Sequence, residues 1–217
     1  MPADLVRSLI ADFDEDALQK RLETARVSLR IQAVLVGIVD DESESPFYQM
    51  VDWERRHADG TPCIKPAAIE DSLKYIRRRF PEFDEDKDAL IDFFFAVWHG
   101  VKAAYPVLWE QAGNHLFENA GFKTFSEYLT DAIEMLACME DYFDIDIYDP
   151  ESVTDACKTI ASQIDVRFWQ AEWRLKSLDT SAGRDMIKDD LKRIRRNRKE
   201  RRGWSDSLSL VGLQGEI

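Results

Sequence analysis

The sequence predicts a mainly α fold, a single compact multi-helix domain with room for one small β-hairpin. Three observations predict it. Through most of the chain apolar residues recur at three- and four-residue spacing, as one buried helix face requires. Glycine and proline number only nine and seven in 217 residues, too few for the many tight turns of an all-β design. Apolar residues make up 45% and aromatics 11%, enough to fill a core at this length although 33% of the chain is charged. The helical domain is expected over 1–203, ending in a basic helix at about 181–202. Residues 204–217 show no period and read as a flexible tail.

The elements follow in order. Asp14 or Asp16 can cap a first helix that runs to about 41, with Leu18, Leu22, Leu29, Val36 and Val39 in helical register. Pro46 disfavours helical geometry at Ser45 and breaks it. Next, Phe47, Gln49, Val51 and Trp53 alternate, and a turn at 57–60 returns the chain to Cys63 and Ile64, a pattern that suits the small hairpin. A basic helix over 67–80 places Ile69, Leu73 and Ile76 inward and Arg77, Arg78 and Arg79 at its C-terminus, where the helix dipole favours cations. The carboxylates of 84–86 open the most apolar helix, ALIDFFFAVWHGVKAAYPVLW, which Pro106 ends or kinks.

Gly121 is expected to close the next turn, with Thr124 and Glu127 in capping-box positions for a helix to about Tyr142. Asp149-Pro150 starts another, with Val153, Ala156, Cys157, Ile160 and Ile164 inward. The expected core includes Leu35, Phe94, Trp98, Trp109, Phe125 and Ile160.

Charge divides the chain. Its net charge is −13, yet residues 184–202 carry ten Lys/Arg against four Asp/Glu, which leaves 1–183 at −17. Placed on a helix, Arg184, Lys188, Lys192, Arg195, Arg196, Lys199 and Arg202 fall largely on one side. Such a stripe can neutralise phosphates without reading sequence, or it can pair with the acidic body. Only Trp204 lies nearby as an aromatic for base stacking. A second cluster, Lys74 with Arg77 to Arg79, reads as a favourable helix terminus.

No catalytic constellation is found, so the protein is expected not to be an enzyme. The chain lacks GxxxxGK[ST], GxGxxG and GxSxG motifs. His57, His99 and His115 have no HExxH spacing, and Cys63, Cys138 and Cys157 form no CxxC pair. Cys138 and Cys157 are expected as buried structural thiols. The run EDYFDIDIYDPE at 140–151 holds Asp141, Asp144, Asp146 and Asp149 but neither the glycine turn nor the terminal Glu of a calcium loop, and reads as a solvated connection. No metal and no cofactor is expected. No segment approaches the ~20 apolar residues of a membrane span. The N-terminus lacks the features of a secretory signal. The chain therefore reads as cytoplasmic, with reduced thiols and no membrane partner.

Four segments, ESPFYQMVDW at 44–53, ALIDFFFAVWHGVKAAYPVLWEQ at 89–111, ENAGFKTFSEYL at 118–129 and LDTSAGRDMI at 178–187, carry a resemblance. Together they resemble the helical C-terminal portion of DGQHR-domain proteins, a group that includes the DndB-type proteins associated with bacterial DNA phosphorothioation. The Asp-Gly-Gln-His-Arg motif itself is absent, and so is the portion in which it sits. No residue role therefore carries over. The resemblance implies a mostly helical module in a prokaryotic or phage DNA-modification or defence setting. The leading expectation is a non-enzymatic accessory or regulatory protein that binds a partner protein, and DNA as a second partner, through its basic helix. The alternative is an acidic, phage-type inhibitor that mimics DNA with its body.

Overall fold

A computed structural model describes residues 33–53, 62–139 and 145–212. Helix α1 occupies 33–41; α2 is Pro66–Arg79, α3 Lys87–Ala104, α4 Asn119–Ala137, α5 Pro150–Ala161, α6 Arg167–Gln170 and α7 Ser181–Lys199. Short 3-10 turns at Pro81–Asp84 and Pro106–Trp109 bracket α3. The architecture is mainly α, and the described residues form no sheet. Of the expected first helix, 14–32 lies outside the described residues.

The starts of these helices follow from their capping chemistry. Asp86 caps α3 by accepting from the Ala89 amide at 2.9 Å. Asp149 caps α5 by accepting from the amides of Glu151 and Ser152, both at 3.2 Å, with Pro150 at the first helical position. Helix α3 is apolar on nearly every side, burying Leu90, Ile91, Phe93, Phe94, Phe95, Val97, Trp98 and Val101. A helix of that kind must be enclosed. Helix α5 covers it most extensively, α2 and α4 flank it, and α4 also packs on α2 and α7.

The contact between α3 and α5 is set by Gly100. A Cβ there would lie 2.5 Å from the Thr154 carbonyl oxygen, 2.8 Å from Cys157 Cβ and 2.8 Å from the Lys158 nitrogen. Only the missing side chain lets the two backbones approach. Tyr105, just after α3, directs its buried hydroxyl to the carbonyls of Ala161 and Ile164, the latter at 3.0 Å. It thereby ties the last residue of α5 and the turn that follows it to the end of α3.

Aromatic packing joins segments far apart in sequence. Phe47 lies against Trp98 with ring centroids 5.1 Å apart, Phe122 at 5.4 Å and Trp109 at 6.0 Å. Trp98 and Phe122 stack at 4.2 Å and 11°. Leu35, Phe94, Trp98, Phe125 and Ile160 are buried as expected. Trp109, expected in the core, is half-buried and packs against it, with its Nε1 donating to the Pro46 carbonyl at 2.8 Å.

Four expectations need correction. Instead of a hairpin, a single parallel bridge joins Val51 to Ile64, and a parallel pair cannot close on a tight turn. Gly121 lies inside α4, where its hydrogen faces the His115 carbonyl so closely that no Cβ would fit; α4 thus starts at Asn119, and Thr124 is a buried interior residue instead of a cap. Cys138 is exposed at the C-terminal end of α4. Residues 204–212 are packed, with Leu208, Leu210 and Val211 buried, so the flexible tail does not begin at 204.

Two glycine substitutions separate packing from propensity. Gly100→Ala is expected to destabilise the protein by about 2 kcal/mol, since the α3–α5 contact must open. Gly37→Ala in α1, where no atom of the described residues outside the helix's own neighbouring backbone lies within 4 Å of the new Cβ, is expected to stabilise by about 0.5–1 kcal/mol. Urea unfolding of the two variants measures both signs.

Candidate nucleic-acid interface

Helix α7 begins where Thr180 accepts a hydrogen bond from the Gly183 amide at 3.1 Å. Gly183, Ile187, Asp190, Leu191, Ile194 and Asn197 form its buried face. Two of these are polar, and both hold the chain that follows. The Asp190 carboxylate accepts from the Ser209 amide at 2.8 Å and the Leu210 amide at 2.8 Å. Asn197 donates to the carbonyls of Trp204 at 3.2 Å and Asp206 at 2.9 Å. These bonds explain why 204–212 is ordered against the domain. A periodicity scan does not detect such side-chain-to-backbone anchors.

The seven cations of the expected stripe do not act alike. Arg184 lies 3.9 Å from Glu127 and 4.0 Å from Asp179. Lys188 pairs with Glu127 at 2.6 Å and sits 5.7 Å over the Tyr75 ring. Arg195 donates to Gln163 Oε1 and to the Tyr128 hydroxyl, each at 2.8 Å. These three flank the buried face and fasten α7 to α4 and to the end of α5. Arg202 pairs with Glu200 at 3.0 Å. Among the described residues Lys192 meets only Asp189, at 3.4 Å, with both side chains mostly exposed. Arg196 and Lys199 are exposed and have no side-chain partner among the described residues.

What remains is a narrower basic edge: Lys192, Arg196 and Lys199. With Arg195, Arg198 and Gln163 they line an open groove of 910 Å³ beside the end of α5. Arg198 was not part of the expected stripe. It faces α5, where its guanidinium donates to the Ser162 carbonyl. From sequence, its helical angle alone separates it from the outer edge, and nothing signals its partner.

The other candidates are occupied by structural work. Lys74 meets Glu70 and Asp71 at 3.6 and 3.7 Å. Arg77 pairs with Asp84 at 2.9 Å, Arg79 with Asp131 at 2.8 Å, and Arg78 lies 4.7 Å over the Tyr75 ring. The His99 Nε2 is 2.9 Å from the Glu44 carbonyl, and burial holds this imidazole below its ordinary pKa. Burial drives the fully buried Cys157 thiol upward, which makes it a poor nucleophile. His57 and Asp141 and Asp144 of the acidic run lie outside the described residues. Asp146 and Asp149 are engaged with the amides of Tyr148, Glu151 and Ser152. Among the described residues no three His, Cys, Asp or Glu are grouped to hold a metal ion, and no helix is long and apolar enough to cross a membrane.

No family model, no curated protein and no solved structure matches the chain.

Asp190 provides a test of how the segment after α7 is held. Asp190→Ala leaves the buried Leu210 amide and the part-buried Ser209 amide without an acceptor and is expected to cost about 3 kcal/mol. Hydrogen exchange at Ser209 and Leu210 should accelerate at least as much as global stability falls. Asp190→Asn, which keeps an acceptor oxygen, should lose less.

Proposed function

We propose that the protein binds nucleic acid without catalysing a reaction on it, gripping the phosphate backbone along the outer edge of α7. One observation carries this reading. Lys192, Arg196 and Lys199 are left without strong partners, side by side with Arg195 on a single open groove, in a protein whose first 183 residues have a net charge of −17. An acidic body gives every nearby cation a place to pair. Cations that stay unpaired there present a positive strip to an external anion, while the surrounding field keeps that anion off the rest of the surface.

The groove reads no base edge. Flexible lysines and arginines on one helix edge give affinity that depends on salt and little on sequence. Such binding suits an accessory or regulatory protein better than a specific recogniser. The DNA-modification or defence setting, and a partner protein within it, are supported by the resemblance to the C-terminal portion of DGQHR-domain proteins. The contacts of His99 with the Glu44 carbonyl and of His115 with Glu118, and the burial of Cys157, support a role without chemistry.

The experiment compares two charge-removal variants by fluorescence anisotropy over a range of salt concentrations. Lys192→Gln/Arg196→Gln/Lys199→Gln should bind oligonucleotide at least about tenfold more weakly and flatten the log–log salt slope by about 2, near 0.7 per contact for a single strand. Arg184→Gln/Lys188→Gln should lower the unfolding midpoint but leave the salt slope unchanged. An unchanged slope in the first variant would overturn the interface.

A further inference from the structure

The basic groove does not end at Arg198. A second cavity of 740 Å³ shares Arg198, Ser162 and Gln163 with the neighbouring grooves and continues to Tyr105, Arg167, Arg202 and Trp204. At its far side the Arg167 guanidinium lies 5.2 Å over the Trp204 ring. Asp165 holds that guanidinium by two bonds, from Nε at 2.9 Å and from the terminal nitrogen at 2.7 Å. The arginine in turn keeps the Asp165 carboxyl below its ordinary pKa. The pair is close to neutral, and it does not oppose a phosphate on Arg198 or Arg202. The Arg167 side chain is nevertheless 60% exposed.

Trp204 is half-buried and rigidly mounted. Its carbonyl accepts from buried Asn197, and a turn closed by the Gly203 amide on Asp206 at 3.0 Å encloses it. A large aromatic held by its backbone, roofed by an exposed planar cation that Asp165 orients and opening on a basic groove, has the parts of a base-stacking platform. We infer that Trp204 and Arg167 form a base-stacking site at the end of the α7 groove, so that the ligand is single-stranded nucleic acid and not duplex.

The inference rests on the proposed nucleic-acid interface and sharpens it. A single strand would run its phosphates past Lys192, Arg196 and Lys199, a rise of about 10 Å along α7. It would then turn one unpaired base onto the indole, against or in place of the Arg167 guanidinium. In duplex the bases are stacked on one another and offer no free face, so only the phosphate contacts remain.

The test uses the full chain, labelled oligothymidylate, and a labelled duplex of equal length at low salt. Trp204→Leu should weaken oligothymidylate binding about tenfold and change duplex binding less than about twofold. Trp204→Phe, which keeps an aromatic face, should retain most of the affinity. In the parent chain oligothymidylate should quench part of the tryptophan fluorescence, and Trp204→Phe should abolish that change despite the five remaining tryptophans of the six in the chain. Circular dichroism confirms that both variants fold. Equal loss on both ligands, or none on either, overturns the stacking site and leaves the phosphate interface standing. Absence of binding to both ligands by the parent chain overturns the interface and the stacking site together.

Discussion

An apolar helix that cannot face water anywhere organises this domain. Helix α3 buries residues around almost its whole circumference, from Leu90 to Val101. It must therefore be wrapped, and the wrapping fixes where α2, α4 and α5 can go. Gly100 determines how closely α5 can lie. Its missing Cβ lets the α5 backbone pass at van der Waals distance, with Cys157 tucked beneath. From there the positions propagate. The end of α5 is set by Tyr105, and the Ser162 carbonyl at that end receives Arg198 of α7. The groove beside α7 is thus a consequence of how α5 seats on α3.

Helix α7 adds Ile187, Leu191 and Ile194 to the same core by packing on α4. Its inner face is apolar apart from Asp190 and Asn197, and its flanks are bound by Glu127, Tyr128 and Gln163. Position around the helix sorts its cations. Those next to the buried face are within reach of α4 and α5 and become fasteners, as Arg184, Lys188 and Arg195 are. Those farther round, Lys192, Arg196 and Lys199, find among the described residues at most a neighbour in their own helix. Exposed pairs such as Lys192 with Asp189 hold their partners weakly, about 0–1 kcal/mol, so an incoming phosphate displaces them at little cost.

Much of the fold was legible because it rests on local rules. Period and capping residues located α2, α3, α5 and α7, and the buried identities of Phe94, Trp98 and Phe125 followed from the pattern. Rules that depend on long-range contact were not legible. Gly121 has the look of a turn residue, but its role is to admit the His115 carbonyl inside a helix. The Val51–Ile64 bridge is parallel, which alternation alone does not reveal. The order of 204–212 depends on Asp190 and Asn197, polar residues on a buried face, and polar residues lower any pattern-based score for burial. The candidate site was legible as a stripe of charge. Its division into fasteners and free cations was not, because that division is set by Glu127 and Tyr128 on α4 and by Gln163 just after α5.

That division is the central claim, and lysine footprinting tests it directly. The protein is treated briefly with an amine-reactive acetylating reagent, with and without oligothymidylate, and modification is read by mass spectrometry. Lys192 and Lys199 should react readily in the free protein and be shielded by the oligonucleotide. Lys188, held on Glu127 beneath the Tyr75 ring, should react slowly in both states. Shielding of Lys188 instead, or oligonucleotide binding that leaves Lys192 and Lys199 as reactive as before, would contradict the account.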